Sequence, residues 1–281
     1  MTEGSWKLVF ASVSGTSHDD GEAGCQDVSD CRVLTGSDDT EVLIAVAADG
    51  AGSARRAREG AALACSLFIN EMEALFSTGG NIAAISHEFT KDWLTRFQNE
   101  VVARATAEEL NPRDFACTFL AAVLGEESSV FMQIGDGLIV IPSVEEPEEY
   151  CWAFWPQRGE YANMTNFATD ADAGEKLEHT LVNHRIDEVA VLTDGLQDLT
   201  VQYETQLVHT PFFRPIFEWL RPASEASFKN LTTAMTAYLQ SEKVNERTND
   251  DKTLILATRR QAAPPLVDDL SLENDNAGKV L

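Results

Sequence analysis

Positive charge is scarce in this 281-residue chain: Lys and Arg number 21 against 46 Asp and Glu, for a formal charge of -25. That deficit argues against nucleic acid or an anionic membrane surface as a partner. Cysteine is scarce too. Cys25, Cys31, Cys65, Cys117 and Cys151 form no CxxC pair, and the five histidines form no HxxxH or HExxH array. A zinc ladder and a disulfide framework are both disfavoured, and a reduced cytosol is the simplest setting. No apolar run reaches the ~18 residues of a membrane helix, and "MTEGSWKLVF" has no basic segment followed by an apolar one. The chain is expected to be soluble, unexported and cytoplasmic. It also lacks a GxxxxGK[ST] phosphate loop and any internal repeat.

What is present is ordinary core material, 44% apolar, arranged in two periods. Short runs of Val, Ile, Leu, Phe and Ala at 6–13, 41–48, 115–124, 128–134, 189–193 and 253–258 predict strands. "SSVFMQIGDGLIVIP" reads as a hairpin through its Gly-Asp-Gly interruption. Between 54 and 107 the period lengthens. Ala57, Ala61, Cys65, Phe68, Met72 and Leu75 recur three or four apart, as do Ile85, Phe89, Trp93, Phe97 and Val101, with "STGGN" between them. Two long helices are predicted there, a third over 224–243, and a shorter one at "FFRPIFEWL". Strand blocks with inserted helix pairs predict an α+β layered fold. The stretch 142–172 reads as a flap near a site, with Trp152, Trp155 and Tyr161 packing beneath a loop. Residues 1–260 read as one domain, and 261–281, acidic and marked by Pro264-Pro265, as a loose tail.

Five aspartates share one setting, the edge of an apolar run beside a small or polar residue: Asp27, Asp49, Asp136, Asp194 and Asp250. Any one of them alone reads as a turn or cap residue. Five on separate segments match the convergent oxygen ligands of a hard divalent cation, and the dearth of His and Cys favours Mg²⁺ or Mn²⁺ over Zn²⁺. Two such ions about 4 Å apart would activate water for attack on a phosphoryl group.

"AADGAGS", "IGDGLIV", "VLTDGLQDL" and "NDDKTLIL", in this order, resemble the metal-dependent protein phosphatases of the 2C type, and "SGTSHDDGEAGCQDV" resembles their bacterial branch. The resemblance spans about residues 8 to 258. It implies a central antiparallel β-sandwich flanked by pairs of α-helices. The activity it implies is a metal-dependent serine/threonine phosphatase acting on phosphorylated proteins and opposing a Ser/Thr kinase. It implies two Mn²⁺ or Mg²⁺ ions: Asp49 bridging, the Gly50 carbonyl on one ion, Asp194 and Asp250 completing a shell, and Asp27 acting through water. Asp136 with Asp194 is implied in a third metal site.

Three departures stand out. The family's histidine after Asp-Gly is Ala51, its acidic residue before the first Asp is Gln26, and its phosphate-binding Arg is missing. His18 is the stand-in expected to bind phosphate or donate a proton, and Arg55 a candidate to face an anionic substrate, beside Arg56 and Arg58. These departures motivate a rival reading, a catalytically weak phosphoprotein-binding or sensor module on the same fold. A hydrolase of small phosphate esters ranks last.

Overall fold

The computed structural model describes residues 4–18, 24–36, 40–158 and 165–262. In chain order the strands are β1 (Lys7–Val13), β2 (Val28–Thr35), β3 (Glu41–Ala48), β4 (Phe119–Leu124), β5 (Ser129–Ile134), β6 (Leu138–Pro142), β7 (Tyr150–Trp152), β8 (Glu178–Val182), β9 (Glu188–Leu192), β10 (Val201–Gln202), β11 (Leu207–Val208) and β12 (Lys252–Thr258). Two five-stranded antiparallel sheets, in the orders β2-β3-β4-β5-β8 and β1-β12-β9-β6-β7, face each other, while β10 and β11 form a small ribbon. The long helices are α1 (Ala57–Ser77), α2 (His87–Ala107), α3 (Thr210–Leu220) and α4 (Phe228–Leu239). The described part of the expected tail ends at residue 262. No helix among the described residues is long and apolar enough to cross a membrane.

Strand β3 shows why the layers form. Val42, Ile44, Val46 and Ala48 join the core under α1 and α2, around Phe68, Trp93 and Phe119, whereas Leu43, Ala45 and Ala47 point into the seam between the sheets. A strand covered on both faces has no polar alternation, which is why its sequence is continuously apolar. The seam is filled by Leu120, Phe131, Ile139, Val189 and Ile255. The outer face of the second sheet is covered by α3 and α4 through Phe213, Phe217, Leu231 and Met235. The start of α2 is fixed by Ser86, whose hydroxyl accepts from Phe89 N at 3.1 Å, a cap worth about 1 kcal/mol.

The hairpin expected at Gly135-Asp136-Gly137 does not form. Strand β5 pairs with β4 and β8, and β6 pairs with β7 and β9, so the chain crosses there from one sheet to the other. Gly135 has φ +110°, and a Cβ on it would stand 2.5 Å from the Thr118 methyl; glycine marks a tight crossing here instead of a hairpin turn. The strand expected from 115 begins at Phe119, preceded by a 3-10 turn at Pro112–Phe115. Strands β2 and β8 escape sequence reading because they are edge strands, mostly half-buried and polar. Trp155 packs on the core of the second sheet, as expected. Trp152 instead stays 37% exposed, and Tyr161 lies outside the described residues.

Candidate functional site

The strand register carries the aspartates to one end of the sandwich. Val28 pairs with Ala48, so Asp27 and Asp49 sit side by side just beyond the β2–β3 ladder. Leu192 pairs with both Leu138 and Leu254, which brings Asp194, the Asp136 crossing and the Asp250-Asp251 pair to the corresponding end of the second sheet. Five motifs far apart in sequence thus meet where the two sheets open.

Each is held differently. Asp49 is clamped by Thr118: its N–H donates to Thr118 Oγ1 at 2.9 Å and its carbonyl accepts from Thr118 N at 2.8 Å. At Gly50, bridged to Cys117, a Cβ would lie 2.7 Å from the backbone of Ala57, so only glycine lets α1 start this close behind Asp49. Asp27 is 1% exposed, and its Oδ2 accepts from Thr193 Oγ1 at 2.7 Å, which in turn accepts from Thr253 N at 3.0 Å. Asp250 lies exposed at the turn before β12, where its Oδ1 accepts from Asp251 N at 2.8 Å.

Asp251 was not singled out from sequence. It is 3% exposed, and its carboxylate accepts from Gly15 N at 2.7 Å and Gln26 N at 2.6 Å, tying the loop that carries Asp27 to β12. The doublet Asp250-Asp251 was the available signal; the division into an outward and a buried carboxylate required the strand register. Arg58 adds a second tie, donating to the carbonyls of Cys25 and Asp27. Arg55 is exposed on the segment between Asp49 and α1. Arg56 is turned away into ion pairs with Glu59 at 3.0 Å and Glu108 at 3.2 Å. His18 ends the turn Thr16–His18, anchored by Ser17 N to Asn249 O at 2.9 Å; its side chain lies outside the described structure.

The electrostatics of this end are repulsive. Burial, followed by the charges of Asp27 and Asp194, holds the Asp49 carboxyl well above its usual range. Burial, then Asp136 and Asp250, pushes Asp194 up to about 8. Burial raises Asp27 to about 6 against the donated bond from Thr193, and burial with Asp250 raises Asp136. Two further oxygens are left over: Gln26 Oε1 and Asp27 Oδ1 are buried and accept no hydrogen bond among the described residues. An unsatisfied buried acceptor costs about 1–3 kcal/mol.

Grouped carboxylates, orphaned oxygens and no nitrogen or sulfur donors among them suit a hard divalent cation. Among the described residues no three His, Cys, Asp or Glu side chains already converge as a preformed cage, so a cation would have to draw these carboxylates together.

A model of the protein phosphatase 2C family matches residues 14–240. Serine/threonine-protein phosphatase 3 of Escherichia coli (strain K12) is 38% identical over 259 residues, covering 90% of this chain and 98% of that protein. Among solved structures, the serine/threonine phosphatase Stp1 from Staphylococcus aureus superposes with TM-score 0.56 at 12% identity, over 90% of this chain and 95% of its own. RsbX in complex with magnesium gives TM-score 0.52 at 14% identity, over 90% and 94% respectively. At these identities the structural likeness concerns the fold.

Proposed function

The chain belongs to the protein phosphatase 2C family and is a serine/threonine protein phosphatase, and we propose that it works through two Mn²⁺ or Mg²⁺ ions held at the open end of the sandwich. In this reading Asp49 would be the ligand shared by the ions, the Gly50 carbonyl, Asp194 and Asp250 would complete the set for one of them, Asp27 would act through water, and Asp136 with Asp194 would hold a third. When bound, the ions supply an activated water and neutralise phosphoryl charge for in-line displacement. The observation that carries the reading is the meeting of these mutually repelling carboxylates with the orphaned oxygens of Gln26 and Asp27. The magnesium named with RsbX agrees in kind with this donor set.

The residues of this chain divide the remaining work. The Thr118 clamp holds the Asp49 backbone at the end of β3, so the side chain alone has to move when an ion draws the carboxylates together. The buried Ala51 offers no proton, so the leaving oxygen must be protonated from elsewhere. His18 is our candidate for that and for holding phosphate, with Arg55 at the rim as a second phosphate contact. Residues 1–260 are taken as the catalytic domain and 261–281 as its appendage. The enzyme is placed in the cytoplasm, acting on phosphorylated proteins against a Ser/Thr kinase. The rival sensor reading rests on Ala51, Gln26 and the missing phosphate-binding Arg; 38% identity to a serine/threonine-protein phosphatase over 98% of its length favours the enzyme.

The test is dephosphorylation of a phosphothreonine peptide with Mn²⁺ by the wild-type protein and by Asp49→Asn, with metal binding followed by calorimetry. Metal-dependent turnover that falls about a hundredfold to a thousandfold in the variant is expected, the usual loss on removing one preorganised catalytic group. Undiminished turnover in Asp49→Asn would sink the assignment.

A further inference from the structure

The segment Trp155–Arg158 and the β10–β11 ribbon enclose a cavity of about 350 Å³ that the proposed chemistry does not use, lined by Trp155, Pro156, Arg158, Tyr203 and Gln206. Its wall is built with care. The Tyr203 ring stands edge-on to Trp155 at 6.0 Å and 88°. Gln206 adopts the left-handed region, φ 53°, and its carbonyl accepts from Trp152 Nε1 at 2.9 Å. A non-glycine residue held in that region signals a locally over-determined structure.

Two observations give the cavity a function. First, the Arg158 guanidinium makes no ion pair among the described residues, a state it shares with Arg55, Arg104, Arg113 and Arg247, but it alone of these lies over an aromatic ring, Tyr203 at 5.1 Å, in the wall of a cavity. In a chain of net charge -25, an arginine resting on an aromatic face keeps its forked donors for a ligand, and a carboxylate matches that fork. Second, the pocket is wired to the carboxylate end: Tyr203 OH donates to Gln197 Oε1, and Gln197 Nε2 donates to the carbonyl of Asp136. That relay reaches on the order of 10 Å, or about three residues of extended peptide.

Resting on the phosphatase reading above, we infer that Arg158 and Tyr203 form a specificity subsite for an acidic side chain of the substrate, about three positions from the phosphorylated residue in an extended peptide. The aromatic ring holds the guanidinium in place, and the acidic residue lands on it while the phosphate enters the carboxylate end. Away from this contact the net charge of -25 works against an acidic peptide, so the contact sorts substrates as well as holding them.

The test compares three phosphothreonine peptides on the Mn²⁺-loaded protein: alanine-flanked, with glutamates two and three positions before the phosphothreonine, and with glutamates two and three positions after it. One acidic peptide should show a KM about twofold to fivefold below the alanine peptide, the upper reach of one exposed charge contact. Arg158→Gln should erase that preference and Arg158→Glu invert it, with kcat on p-nitrophenyl phosphate and the melting temperature unchanged. Equal KM for all three peptides, or a preference that survives Arg158→Glu, overturns the proposal. If p-nitrophenyl phosphate is not turned over at all, the phosphatase reading fails separately. Calorimetric binding of the same peptides then decides the subsite: tighter binding of an acidic peptide lost in Arg158→Glu supports it, and equal binding overturns it.

Discussion

Strand β9 carries one carboxylate at each end of its reach, Glu188 at its start and Asp194 two residues past its finish, roughly 20 Å apart at about 3.3 Å per residue. Their surroundings are opposite. Glu188 is fully buried and fully answered: Arg221 forks onto it at 2.8 and 2.9 Å, Arg260 reaches it at 3.1 Å, and Tyr150 and Thr258 donate hydroxyls at 3.0 and 2.8 Å. Burial alone would raise its carboxyl, but the Arg221 and Thr258 bonds outweigh burial and hold it below the usual range. Asp194 meets burial and like charge, which push it up to about 8. One end of the sandwich is finished by its own side chains; the other is left short of positive charge. On the proposed reading, the first end serves the fold and the second a ligand.

The strongest way to break this contrast is to damage the finished end. Glu188→Ala strands Arg221 and Arg260 beside a buried void and should destabilise the protein by about 3–5 kcal/mol in urea unfolding, with KM for a phosphopeptide little changed in the folded fraction. A loss below about 1 kcal/mol would mean that solvent reaches this network. Asp49→Asn should do the reverse at the other end, raising the metal-free melting temperature by a few degrees while abolishing the stabilisation conferred by Mn²⁺. A lowered metal-free melting temperature would mean that Asp49 is held by attractive contacts and not strained by repulsion.

The pH response sharpens the same comparison, with a smaller effect. Groups raised in the folded state, Asp194 to about 8 and Asp27 to about 6, contribute stability that is fully present below their unfolded values near 3.9 and lost as pH rises through 6 and 8. Glu188, lowered in the folded state, contributes stability present above its unfolded value near 4.3 and lost as pH falls through its folded one. Metal-free protein should therefore melt at progressively lower temperature between about pH 5 and pH 8. Divalent metal should cancel that decline. A flat metal-free profile across this range would show that the carboxylates are already screened.

Much of this was readable in the sequence. Helices α1 and α2 follow the three-and-four spacing because one face of each meets the sheet, and β3 announces itself by being buried on both sides. Asp49, Asp136 and Asp194 were legible because each ends or interrupts an apolar run beside a glycine. What failed did so for identifiable reasons. Gly135-Asp136-Gly137 reads as a turn between neighbouring strands, and nothing local tells a hairpin from a crossing between sheets. Asp251 is invisible beside Asp250 because its role depends on Gly15 and Gln26, more than two hundred residues away in sequence. Strand β2, half polar, lacks the apolar run that betrays its neighbours.

The carboxylate end has a mechanical side. Asp27 and Asp49 belong to the first sheet, Asp194 and Asp250 to the second, and the hydroxyl of Thr193 already reaches across to Asp27. An ion shared by the two sets would act as a further clasp on the rim of the seam, beside the ties that Thr193 and Asp251 already make across it. The supply of divalent ions would then govern more than turnover. It would set how often the sandwich gapes, and so how long each copy of the chain survives among proteases.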